Sequence, residues 1–85
     1  MTLNESFEDA QKRVKTLSTT PSNDELLELY ALFKQATAGD VSGSRPGMID
    51  FKGRAKFDAW TKKKGTSKDQ AMTAYVALVD RLLKK

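Results

Sequence analysis

Tyr30, Phe33 and Lys34 stand three and four residues apart, a spacing that a helix places on one face. Further along, Lys52 and Lys56 stand one helical turn apart, and Tyr75 lies near the C-terminal end. Tyrosine suits a site that is apolar at one end and wet at the other, because its hydroxyl needs a partner when buried. Ammonium groups beside such rings make a phosphate site with a stacking surface alongside. The same residues also have a plain structural use: aromatic rings at this spacing fill cores, and lysines keep surfaces solvated. Spacing alone leaves both readings open. It points to a helical domain that binds a phosphorylated, partly aromatic or apolar ligand.

Other chemistry is excluded by what the chain lacks. With no Cys and no His there is no disulfide, thiolate, zinc or haem site of the ordinary kind, and no Ser-His-Asp or Cys-His catalysis. Glu5/Asp9 and Asp24/Glu28 are carboxylate pairs four residues apart, and they read as solvated helix faces beside bases. Gly39, Gly43 and Gly47 follow no strand, so neither a P-loop nor a dinucleotide fingerprint is present. Arg45-Pro46-Gly47-Met48 reads as a turn with an exposed arginine. No catalytic residue, cofactor or metal ligand is assigned, and the chain is expected not to be an enzyme.

Charge is distributed unevenly. Residues 1–33 hold six acids and three bases, whereas residues 34–85 hold twelve bases and five acids. The densest stretch, 51–65, carries Lys52, Arg54, Lys56, Lys62, Lys63 and Lys64 against Asp58 alone. Such asymmetry suits an anionic partner, whether nucleic acid, membrane surface or phosphorylated ligand, and equally a solvated face.

The elements that must position these residues are helical. An 85-residue chain makes one domain, 1–85, and burying only ~60–65% of the unfolded surface demands efficient helix packing. Phe7, Ala10, Val14 and Leu17 predict an amphipathic helix over 4–17, with Thr2 and Glu5 as a capping box and Asn4 as a competing cap. Pro21 ends it, and Ser22 with Glu25 opens a second helix that is apolar around most of its circumference. Such a helix must pack on two flanks, and Gly39 is its natural terminator. Residues 40–50 are irregular, and a third helix fits 51–62 with Phe51, Ala55 and Ala59 as its inner row. Ser67 and Gln70 cap a fourth helix to about Leu83, with Ala71, Met72, Tyr75, Leu78, Val79 and Leu82 as its apolar face. The fold class is all-α, a bundle of four helices. The longest apolar stretch, Ala74 to Val79, is too short to span a bilayer, and Met1–Ser6 has neither a basic nor an apolar signal region. A cytoplasmic location is the expectation.

At Leu29-Tyr30-Ala31-Leu32-Phe33-Lys34-Gln35-Ala36-Thr37-Ala38-Gly39-Asp40 the chain resembles the Y-x-x-[YF]-K-Q-A-T-x-G-D signature of the acyl-CoA-binding protein family. Arg45-Pro46-Gly47-Met48-Ile49-Asp50 through Trp60 is similar to the family's R-P-G-x-x-D-x-x-x-[KR]-x-K-x-[DE]-x-W segment. Lys64-Gly65-Thr66-Ser67, Ala71-Met72 and Ala74-Tyr75 match further positions. The resemblance implies a four-helix bundle of up-down-down-up topology that binds and carries medium- and long-chain acyl-CoA esters without covalent chemistry. It implies a ligand-binding set of Lys15, Tyr30, Ala31, Leu32, Phe33, Lys34, Lys52, Lys56 and Tyr75. Within that set, adenine and 3′-phosphate go to Tyr30, Phe33, Lys34 and Lys56, and the acyl chain goes to a groove that includes Leu26 and Leu27. The implied partner is the ester alone, bound by a monomer with no nucleic acid and at most transient membrane contact. Phe33 and Phe57 depart from the commoner Tyr and Trp. The competing reading is a basic helical nucleic-acid-binding module, and a membrane-surface module on the same basic face is a third.

Overall fold

The computed structural model describes residues 1–84. It contains α1 (Leu3–Arg13), α2 (Asn23–Thr37), α3 (Phe51–Thr61) and α4 (Lys68–Leu83), with one 3-10 turn, Val14–Thr16, after α1. No strand occurs among the described residues.

Capping sets three of the four helix starts as expected. Thr2, Ser22 and Ser67 each accept the backbone N–H three residues on, and Glu5, Glu25 and Gln70 reach back to the cap N–H. Asn4 lies inside α1 and does not cap it. The start of α3 uses a single acceptor: Asp50 takes the Gly53 N–H at 3.0 Å. A Cβ at Gly53 would run into that carboxyl, which would have to turn aside and give up this cap geometry. At the other end of α2, Gly39 follows the last turn at φ +87°, a conformation open to it without a Cβ penalty.

The first helix is shorter than its periodicity predicts. Regular α geometry stops at Arg13, and the Thr16 hydroxyl donates to the Arg13 carbonyl at 2.6 Å. That local bond competes with the helical ladder next to β-branched Val14, and the chain tightens into a 3-10 turn.

Contacts between helices fix the topology. Arg13 donates to Asp80 at 2.6 Å while Phe7 meets Tyr75, so α1 and α4 run parallel. Tyr30 pairs with Lys56, and Lys34 with Trp60, so α2 and α3 run parallel. Leu82 lies beside Pro21 and Glu25, whereas Gln35 reaches the Thr66 carbonyl ahead of α4, which makes α2 and α4 antiparallel. The order is therefore up-down-down-up. Phe7 and Ala10, Leu29, Leu32 and Ala36, and Ala71, Tyr75, Leu78, Val79 and Leu82 form the core shared by α1, α2 and α4. α2 packs on α4 with one flank and on α3 with another, as its all-round apolarity predicts.

The third helix corrects the sequence reading. α3 packs on α2 alone among the helices, and Trp60 is its buried residue. Phe51, expected on the inner row with Ala55 and Ala59, is 78% exposed, while the two alanines are half-buried. A helix held by one neighbour buries only the narrow stripe that meets it, and the first turn of α3 overhangs.

Candidate ligand-binding site

α2 and α3 lie side by side and parallel, and their interface leaves an apolar groove of about 410 Å³. Asn23, Leu26 and Leu27 line it from α2, and Phe51, Lys52, Ala55 and Lys56 from α3. Apart from Asn23 its uncharged lining is aliphatic and aromatic, and its charged lining residues are the two lysines. Lys56 links this groove to the aromatic residues of α2, because its ammonium lies 5.4 Å from the centre of the Tyr30 ring. One turn further, the Lys34 ammonium lies 4.9 Å from the centre of the Trp60 ring. Cations over ring faces at such distances gain ~0.5–1 kcal/mol where exposed, and more when desolvated. Two ammonium groups are thus held in place along one edge of the α2–α3 pair.

Phe33 points to the other flank of α2. Its ring is 6.0 Å from Phe7, which in turn meets Tyr75 edge-on at 5.1 Å. Phe7 and Phe33 floor a shallow cavity of about 480 Å³ with Asn4, Gln11 and Met72 at its sides. Tyr75 itself is buried, and burial pushes its hydroxyl above the ordinary value of 10.0. Ala31 and Leu32 are buried in the body of α2, and Lys15 stands exposed on the 3-10 turn. The sequence-derived residues therefore fall into three places. Leu26, Leu27, Lys52, Lys56, Tyr30 and Lys34 come together along α2 and α3, with Ala31 and Leu32 buried behind them, Phe33 and Tyr75 meet through Phe7, and Lys15 is exposed on the 3-10 turn after α1.

Periodicity did not single out the residues that brace this arrangement. Gln35 is fully buried, and its amide donates to Asp40 at 2.8 Å and to the Thr66 carbonyl at 2.7 Å. Asp40 also accepts the Gly65 N–H at 2.9 Å, and that bond, then the one from Gln35, holds its carboxyl below the ordinary range. Trp60 donates its indole N–H to the Gly39 carbonyl at 2.8 Å. The end of α2, the following loop and the start of α4 are tied together directly behind Lys34. Gln35 followed five residues later by Asp40, across the helix-ending Gly39, is the signal that the sequence offers. Arg45 is likewise no free turn residue, since it forms a bidentate pair with Asp58 at 2.9 and 2.7 Å.

A second hollow lies across the same helix pair, lined by Asp24, Glu28 and Asp58 together with Lys62 and Lys63, and bridged by Lys63 to Glu28 at 2.6 Å. Its carboxylates suit an anionic ligand poorly, whereas the Lys52–Lys56 groove holds none. No group of His, Cys, Asp and Glu able to hold a metal occurs among the described residues, and no helix is long and apolar enough to cross a membrane.

Fold and groove together define a class: a small helical bundle with an open apolar groove rimmed by lysines. The family model described as Acyl CoA binding protein matches residues 4–79, and the chain belongs to that family of binding proteins. It is 62% identical over 80 residues to the acyl-CoA-binding protein homolog 1 of Caenorhabditis elegans, covering 94% of this chain and 93% of that protein. The crystal structure of acyl-CoA-binding protein 2 from Oryza sativa superposes with a TM-score of 0.93 at 46% identity, covering 98% of this chain and 92% of that one. The corresponding protein of Moniliophthora perniciosa superposes with a TM-score of 0.89 at 44% identity, covering 99% and 82%.

Proposed function

We propose that this chain is a single acyl-CoA-binding domain that binds medium- and long-chain fatty acyl-CoA esters non-covalently, one per monomer, and carries them as a cytoplasmic pool. The observation that carries the reading is the continuity of the apolar α2–α3 groove with the Lys56–Tyr30 pair. An acyl-CoA is an amphiphile, so its receptor must satisfy phosphates and shield a tail side by side. Lys34 and Lys56 hold the 3′-phosphate, the adenine lies across α2 between Tyr30 on its α3 side and Phe33 on its α1 side, and Lys52 and Lys15 approach the rest of the head group. Ala31 and Leu32 support the turn between Tyr30 and Lys34, and Tyr75 backs the site from α4. Leu26 and Leu27 shield the acyl chain. Phe33 keeps a ring where a tyrosine would add a hydroxyl contact. The reading needs no cofactor, no catalytic step and no nucleic acid.

Calorimetric titration with palmitoyl-CoA tests it. Saturable binding near one to one at micromolar protein is expected, and its absence refutes the function.

A further inference from the structure

The turn ahead of α3 places large apolar side chains where water would favour polar ones. Asp50 N–H donates to the Gly47 carbonyl at 3.0 Å, so Met48 and Ile49 are the two central residues of a four-residue turn. Such positions usually hold Pro, Gly, Asn, Asp or Ser, which suit the backbone and the solvent. Here Met48 is 79% and Ile49 92% exposed, the latter more than any other large apolar residue described, and Phe51 follows at 78%. Neither Met48 nor Ile49 belongs to the core or the groove. Phe51 does line the groove, so the apolar tip is continuous with the groove mouth.

The surrounding charge is positive. Arg45 is paired with Asp58, which leaves Lys52, Arg54 and Lys56 against Asp50 alone in residues 46–56. The Asp50 carboxylate is turned to the N-terminus of α3, where it caps Gly53, while Lys52 stands exposed one residue beyond Phe51. Apolar side chains at a tip with unopposed lysine behind them match the two layers of an anionic bilayer surface, acyl chains below and phosphate above.

We propose that the Met48–Phe51 tip docks on an anionic phospholipid surface, with Met48, Ile49 and Phe51 entering the interface and Lys52 meeting lipid phosphates. The groove then opens toward the bilayer, and a tail passes between membrane and groove without crossing water. This last consequence rests on the acyl-CoA reading above; the docking does not.

The test is sedimentation of ligand-free protein with vesicles of phosphatidylcholine alone, or of phosphatidylcholine and phosphatidylserine in equal parts. Palmitoyl-CoA titration in lipid-free buffer runs beside it. The wild type should bind the anionic vesicles preferentially. The double variant Met48→Ser/Ile49→Ser should bind them at least about tenfold more weakly. Lys52→Gln should bind them about fivefold more weakly, with no change on neutral vesicles. Palmitoyl-CoA affinity of the double variant should equal that of the wild type. Failure of the wild type to bind anionic vesicles, equal binding to neutral ones, or a double variant that binds as well as the wild type overturns the docking. A double variant that loses palmitoyl-CoA affinity in lipid-free buffer also overturns it, because the tip then covers the ligand and not a membrane. A wild type that binds vesicles but no palmitoyl-CoA refutes the carrier function and leaves the docking standing.

Discussion

Lys34→Met is the sharpest probe of the head-group site, because it removes a charge while keeping an unbranched apolar stem over the indole. Lys34 is half-buried, its ammonium is 4.9 Å from the Trp60 ring centre, and the Gln35–Asp40 network fixes the backbone behind it. A phosphate received there meets a charge already positioned and partly stripped of water. Hydrogen bonds to charged groups contribute ~1.5–3 kcal/mol, so the variant should bind palmitoyl-CoA about 10- to 150-fold more weakly. Losing the cation over the ring removes a further ~0.5–1 kcal/mol of fold stability, a fall in Tm of about 2–8 °C. Titration calorimetry with palmitoyl-CoA and with its 3′-dephospho analogue separates the phosphate from everything else. Wild type should prefer the phosphorylated ligand, and Lys34→Met should lose most of that preference. Lys62→Met, on the carboxylate-lined side of α3, should change affinity by less than about twofold, as expected for a solvated lysine. If Lys34→Met weakens both ligands equally, Lys34 does not read the 3′-phosphate and the head-group assignment fails.

Three further outcomes are expected. Affinity should rise by up to about 15-fold for every two methylenes added to the acyl chain while the groove still has apolar wall to cover, and a flat series from octanoyl- to stearoyl-CoA would remove the α2–α3 groove as the tail site. Trp60→Phe keeps a ring but deletes the bond to the Gly39 carbonyl, and should lower stability in urea by about 1–2 kcal/mol; an unchanged midpoint would show that this bond does not hold the loop. Asp40 has a folded pKa held below its ordinary value of 3.8, chiefly by the Gly65 N–H and then by the Gln35 amide. Its stabilisation is therefore complete above that value and is lost as pH falls through the lower folded one. Wild type should accordingly lose more Tm than Asp40→Asn on going from about pH 5 to about pH 2, and equal slopes would contradict this linkage.

Much of the fold was legible because its signals are local. Ser22 with Glu25, Ser67 with Gln70 and Thr2 with Glu5 set helix starts through atoms three residues apart, so no distant contact was needed. The all-round apolarity of residues 26–33 announced a helix with neighbours on two flanks, which α3 and α4 supply. The end of α1 is not legible in the sequence, because Val14 and Leu17 continue the apolar period while the Thr16 hydroxyl competes with the ladder. The exposure of Phe51 is not legible either, because periodicity reports which residues share a face, not whether anything covers that face.

The candidate site divides along the same line. Residue types and spacing put Tyr30, Phe33 and Lys34 on one helix and Lys52 and Lys56 on another, and the two motifs pointed to the family that the family match and the relatives show. Which groups meet was a tertiary matter. Lys56 lies over Tyr30, and Lys34 over Trp60, only because α2 and α3 run parallel; Phe33 leans on Phe7 because α1 lies against the other flank. By itself the sequence determined four helices, three of them with their caps, a basic C-terminal half and a chain without Cys or His chemistry. The tertiary structure decided that α3 rests on one neighbour alone, which leaves the groove open beside its lysines and the apolar turn at its mouth facing water. A helical period fixes angles around one axis; exposure depends on what packs against that axis, and that information resides in contacts between residues far apart in the chain.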